Sequence, residues 1–118
     1  MKFRLISFLI IYVFTSLFIF GRKWNVDILG NDFKYTTIEQ PDDYSGKVIS
    51  TIIKKEPIIK GDRAILYIHG YNDYFFQKEM ADTFTAHGYN FYAIDLRKYG
   101  RSILKDQTKF EARSLDEY

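Results

Sequence analysis

Cysteine is absent from the 118 residues, which removes disulfides, thiolate nucleophiles and cysteine-based metal sites together and leaves either redox compartment open. Two histidines are too few to make much of a metal site, and neither a metal nor an organic cofactor is implied. An excess of positive charge is also missing once the N-terminus is set apart. Lys2, Arg4, Arg22 and Lys23 flank one apolar run, leaving 13 of the 17 basic residues against 15 acids beyond it, about −2. A nucleic-acid binder carries a basic stripe in its soluble part, so nucleic acid is excluded as a partner. None of the six serines lies in a Gly-x-Ser-x-Gly turn, and there is no internal repeat or low-complexity segment. What is abundant is aromatic: 19% of the chain, mostly Phe and Tyr, a composition that favours a strand-rich, buried interior over disorder.

The run from Leu5 to Phe20 follows a basic start, Met1-Lys-Phe-Arg4, the order of an export signal. A 16-residue helix at ~1.5 Å per residue spans roughly 24 Å, short of a ~30 Å hydrocarbon core. An h-region therefore fits better than a stable span, although Arg22 and Lys23 could snorkel and keep the segment as a short anchor. The Ala-x-Ala cleavage pattern is missing, and positive charge at both ends leaves orientation open. The expected organisation is a signal peptide or membrane anchor over 1–23, a hydrophobic N-terminal helix, and a folded domain over 24–118 that is exported or membrane-anchored, touching the membrane through residues 5–20.

Within that domain, residues 24 to 31 read as a linker with a turn at Gly30-Asn31. Phe33, Tyr35 and Thr37 alternate with Lys34, Thr36 and Ile38, the period of a half-buried strand. A turn over Gln40 to Gly46 and a second strand over Lys47 to Ile53 make an antiparallel hairpin. A charged connection from Lys54 to Arg63 leads into Ala64 to Ile68, a continuous apolar run of the kind covered on both faces of a sheet. Asn72 or Asp73 is a good N-cap, and Phe76, Met80, Phe84 and His87 then mark one helical face. Gly88 falls at C′. Phe91 to Leu96 is the next buried strand, and strand, helix and strand of this length pack as a parallel right-handed crossover.

A hairpin leading to a strand that ends in His69-Gly70, a helix, and a strand ending in Asp95-Leu-Arg97-x-x-Gly100-x-Ser102 resembles the α/β-hydrolase fold, in its serine aminopeptidase, lysophospholipase and monoacylglycerol-lipase-like branch. The resemblance covers roughly residues 24 to 118. It implies that the backbone N–H of Tyr71, the residue after His-Gly, is one of two oxyanion-hole donors, with Gly70 permitting close backbone approach and His69 supporting the loop. It also implies a scaffold role for Asp95, Arg97, Gly100 and Ser102. The chain departs from the pattern at Lys98-Tyr99, where many members have Gly-His, and in the aromatic stretch Asp73 to Gln77, which puts acyl-pocket shape and substrate class in question.

By this resemblance the chain is the N-terminal part of a serine hydrolase acting on carboxylic esters, lipids or peptides through an acyl-enzyme, inactive alone because nucleophile, acid and catalytic histidine are missing. A triad of Ser102, His69 and Asp95 is conceivable on residue types, but Ser102 has Leu104 where the elbow needs glycine. At the end of a buried strand His69 is expected to hydrogen-bond a loop, and His87 to interact with a helix C-terminus. A nucleotide-binding crossover needs a glycine-rich phosphate cradle or a P-loop lysine, and Gly70-Tyr-Asn-Asp-Tyr-Phe-Phe has neither. The alternative class is non-catalytic: a membrane-anchored binding module or a decayed remnant.

Overall fold

The computed structural model describes residues 21–118. The hydrophobic N-terminal helix and most of the 1–23 segment lie outside the described residues. Five strands form one mixed sheet: β1 (Asn25–Asp27), β2 (Gly30–Asp43), β3 (Gly46–Lys55), β4 (Ala64–Ile68) and β5 (Asn90–Asp95). Their order across the sheet is β1-β2-β3-β5-β4. The single described α-helix, α1 (Lys78–Ala86), crosses from β4 to β5, which pair in parallel, whereas β3 pairs with β5 in antiparallel. This is an α/β arrangement in which a hairpin precedes a parallel strand-helix-strand unit.

The hairpin is longer and tighter than its alternation implies. Asp43 Oδ1 accepts from the Ser45 amide at 2.7 Å and hydroxyl at 2.6 Å, an Asx-type turn completed by Gly46 at φ +89°. Pro41 is inside β2, in the irregular stretch between Gln40 and Asp43 where the register shifts, a place where a ladder can spare an N–H. The supposed linker is partly strand: Asn25 and Val26 pair with Tyr35 and Lys34.

Side chains alternate across the strands. One face carries Phe33, Ile53, Phe91 and Ala93, buried with Phe75 and Ala81 and flanked by Met80 and Phe84. Lys55 fastens this side, its ammonium 2.6 Å from Asp32 and also paired with Asp82 of α1. The other face bears Ile52, Ile94, Tyr92, Leu66 and Ile68 in neighbouring register, with no helix over it among the described residues.

Two expectations are corrected. β4 is not covered on both faces; it is an edge strand, with Leu66 and Ile68 each 59% exposed, because only β5 flanks it. α1 does not start at Asn72 or Asp73. Asn72 takes a left-handed φ of +56°, and Asp73 is held by its neighbours, Oδ1 accepting from Tyr74 N–H and Oδ2 from the Tyr67 hydroxyl. The helix begins after Gln77, so Phe76 is half-exposed and Phe75 supplies the core aromatic instead. At the other end Gly88, at φ +81°, follows the His87 cap, and Tyr89 N–H closes onto Phe84 O at 3.1 Å, as a C′ glycine allows.

Candidate functional site

The residues singled out in the sequence meet at one end of the sheet, where β4 and β5 terminate. His69 is buried, and both ring nitrogens are engaged. The Leu96 amide donates to Nε2 at 3.0 Å, so Nε2 must be unprotonated and the proton sits on Nδ1, 2.8 Å from the Gly70 carbonyl. The ring also lies 4.6 Å from that of Tyr99. His69 thus bridges the loop after β4 to the loop after β5 as a neutral imidazole. His87 makes the local contact expected of it at the helix end, Nδ1 donating to Thr83 O at 2.8 Å.

Asp95 joins the same loops from below. It is fully buried; Oδ1 accepts from Phe75 N–H at 2.8 Å, and Oδ2 from the Arg101 amide at 3.0 Å and guanidinium at 2.9 Å. Arg101 is the hub, a residue that sequence reasoning missed. Its Nε and Nη2 form a bidentate pair with Asp27 at 2.7 and 2.8 Å, and Nη1 also donates to Phe75 O at 2.9 Å. Burial by itself would lower its pKa, but the hydrogen bonds to Asp27 and Asp95 reverse this and the net shift is upward. Nothing local announces the role, since Asp27 lies 74 positions earlier.

Gly100 sits against this hub at φ +45°, and a Cβ there would meet Asp95 Oδ2 at 2.5 Å and Tyr74 Cβ at 2.6 Å, so the turn requires glycine in both conformation and space. Ser102 is fully buried; its hydroxyl donates to the Asp95 carbonyl at 2.7 Å and lies 3.0 Å from Thr51 Oγ1. No hydrogen bond connects His69 to Ser102 or to the Asp95 carboxylate, so the three do not form a triad.

Arg97 reaches the opposite rim. Its guanidinium pairs with Asp43 and donates to Glu117 O at 3.0 Å, although its Nε is buried without a partner. Lys98, fully buried and left-handed at φ +64°, stands where glycine would relieve the backbone. Its Nζ is 2.8 Å from Asp43 Oδ2 but not aligned for a hydrogen bond, and 4.4 Å from the Tyr44 ring centroid. Charge attraction and cation–π contact therefore hold it. Burial would raise the Asp43 carboxyl, but its contacts with Lys98, Ser45 and Arg97 outweigh that and keep it well below the usual carboxylate range.

Tyr71 projects from this braced platform. Its side chain is 81% exposed with its ring edge-on to Phe110 at 5.8 Å, and its backbone N–H donates to no acceptor among the described residues. A Cβ on Gly70 would meet nothing within 4 Å, so open space borders the same turn and no described neighbour requires glycine there. Chemically, the site offers, among the described residues, an amide donor without an acceptor and no activated nucleophile. Among the described residues no three His, Asp or Glu cluster to hold a metal ion.

A separate groove of about 900 Å³ opens at the far end of the sheet, between the β3–β4 connection and the end of α1, lined by Ile58, Ile59, Lys55, Asp82, Thr85 and Gly88 among others. It does not communicate with Tyr71, being separated by the length of β4. Comparison with family models, curated proteins and solved structures finds no match.

Proposed function

We propose that residues 24–118 are the oxyanion side of a serine hydrolase of the α/β type, of the serine aminopeptidase, lysophospholipase and monoacylglycerol-lipase-like branch. In its full form, which supplies nucleophile, acid and catalytic histidine, it acts on carboxylic esters, lipids or peptides through an acyl-enzyme. Residues 5–20 target or anchor it at a membrane. One observation carries the reading: the Tyr71 N–H has no acceptor among the described residues, on a loop held at one end by His69 and at the other by Asp95 and Arg101 on the Phe75 backbone.

Such a donor stabilises the oxyanion that forms when a serine Oγ attacks the substrate carbonyl and the π electrons move onto oxygen. It accelerates the reaction because it is already oriented when the charge develops, and one such donor contributes ~3 kcal/mol of barrier lowering. The test is to read the encoding DNA past codon 118, express the complete frame and label it with a fluorophosphonate. The expected outcome is an in-frame Gly-x-Ser-x-Gly whose serine is labelled, with Tyr71→Pro, which deletes the N–H, slowing labelling about 10²- to 10³-fold. Absence of that motif, or labelling unchanged by Tyr71→Pro, overturns the reading.

A further inference from the structure

The β3–β4 connection carries two adjacent isoleucines that the described residues leave uncovered. Ile58 is 103% and Ile59 82% exposed, at the tip of Glu56-Pro57-Ile58-Ile59-Lys60-Gly61. The groove behind them keeps the tip off the body of the domain. Scattered exposed apolar residues need no explanation, but this pair stands in a particular place. The chain enters the described fold at Gly21 to Trp24, directly after the apolar run of residues 5–20. The Trp24 ring lies 4.4 Å from Lys54 Nζ, Lys54 is 2.7 Å from Glu56 Oε1, and Glu56 Oε2 is 3.7 Å from Lys60. A continuous line of contacts therefore links the point where the apolar run joins the fold to the isoleucine tip.

We infer that this end of the sheet rests on a lipid bilayer with anionic headgroups, Ile58 and Ile59 dipping into the acyl boundary beside the N-terminal segment. The flanking chemistry fits. Lys60 is largely exposed, as is Arg63 just before β4, and Arg22 and Lys23 are exposed on the stretch that joins the apolar run to Trp24; Trp24 is the amphipathic ring that settles at headgroup level. The acids there are Glu56, already paired with Lys54 and Lys60, Asp32 and Asp82, both paired with Lys55, and exposed Asp62. Arg63 spends one donor on the Tyr89 hydroxyl. Lysine and arginine stems can bury their methylenes while the charge stays at the phosphates. One marginal apolar segment gives reversible membrane binding, and a second contact makes it firm.

The inference rests on the membrane role proposed for residues 5–20 and refines the substrate class. β4 runs from Ala64, five residues after Ile59, to Ile68, next to His69, so at ~3.3 Å per residue its five residues hold the Tyr71 loop on the side away from the lipid. The candidate site then draws its ester or peptide from water instead of extracting a bilayer lipid.

Because the chain has no cysteine, one can be placed at will. The full chain carrying Ile59→Cys or, at the opposite end, Asp42→Cys is labelled with an environment-sensitive nitrobenzoxadiazole dye and added to vesicles of phosphatidylcholine and phosphatidylglycerol. The expected result is a blue shift at position 59, quenched by lipid bearing a spin label near the headgroup, and no change at position 42. A chain that stays on the vesicles with position 59 unshifted overturns the loop contact while leaving the anchor standing. A chain that leaves the vesicles in a carbonate wash with position 59 unshifted overturns both. A label already shifted without vesicles and untouched by spin-labelled lipid reports a protein contact and also overturns it.

Discussion

Arg101 illustrates how a single side chain can hold two loops and a strand. Its guanidinium is the counter-charge for two carboxylates, Asp95 and Asp27, whose side chains are 0% and 2% exposed. Removing one partner of a buried pair leaves the other charge uncompensated, at a cost of about 3–5 kcal/mol. Arg101→Ala is expected to lose that much in guanidinium unfolding followed by Trp24, the sole tryptophan. Arg101→Lys recovers only part, since an ammonium cannot reproduce the bidentate fork. Gly100→Ala tests the same turn sterically: a side chain at positive φ with two close contacts should cost about 2–3 kcal/mol, seen as a lower denaturant midpoint at unchanged slope.

Three titrations at the rim divide between the alkaline and acid ends of the pH range. Tyr99 is pushed up to about 12 by burial, by the Tyr118 hydroxyl and by the charge of neighbouring tyrosines. The folded state thus holds this proton more tightly than the unfolded chain does, so Tyr99's contribution is whole below pH about 10 and is lost as pH rises towards 12. Lys98, buried but raised by Asp43 and Tyr44, also loses its contribution on the alkaline side, above its ordinary pKa of 10.5. Asp43 is the reverse case: its carboxyl is depressed, so its contribution is present above the ordinary value near 3.8 and disappears as acid protonates it. Stability measured against pH should fall on both flanks, and Tyr99→Phe should flatten the fall between pH 10 and 12 without touching the acid limb.

At the scale of elements, local chemistry was legible and neighbours were not. Alternation located the β2–β3 hairpin, the apolar run located β5, and Gly88 marked the end of α1, because each signal acts within a few residues. The loop contact of His69 followed from its place at a strand end, whereas the scaffold reading of Asp95 and Ser102 came from the family resemblance alone. The start of α1 was misread because Asp73 finds the Tyr67 hydroxyl, a partner that competes with capping and that no local rule exposes. β1 was hidden because three residues carry no period, and the Asp27 and Asp43 contacts because they close over 74 and 54 positions. The apolar run in β4 reads like a strand covered on both sides, whereas its exposure depends on what lies next to it. An edge of this kind invites association. Leu66→Lys with Ile68→Lys should change stability by no more than about 0.5 kcal/mol each, as exposed substitutions do, while lowering self-association in sedimentation velocity. A large loss of stability would mean that something covers this face.

Across the whole molecule, the two ends of one sheet have different chemistry. One end gathers charge into closed networks around a free amide; the other presents apolar side chains with cations beside them. The charged end also determines what the 118 residues can do alone. Ser102 lies in the loop after β5, but its hydroxyl is buried and donates to the Asp95 carbonyl, and the His69 imidazole, which bridges this loop to the Tyr71 turn, is already occupied by Leu96 and Gly70. No base is within reach to take its proton, so nucleophilic attack from this position is blocked by geometry as well as by access. A fluorophosphonate should therefore leave the 118-residue chain unlabelled, and Ser102→Ala should alter stability by about 1–2 kcal/mol through its lost buried hydrogen bond without altering reactivity. Stoichiometric labelling removed by Ser102→Ala would show that the β5 loop rearranges to expose this hydroxyl, and the network around Arg101 would then be a latch instead of a scaffold.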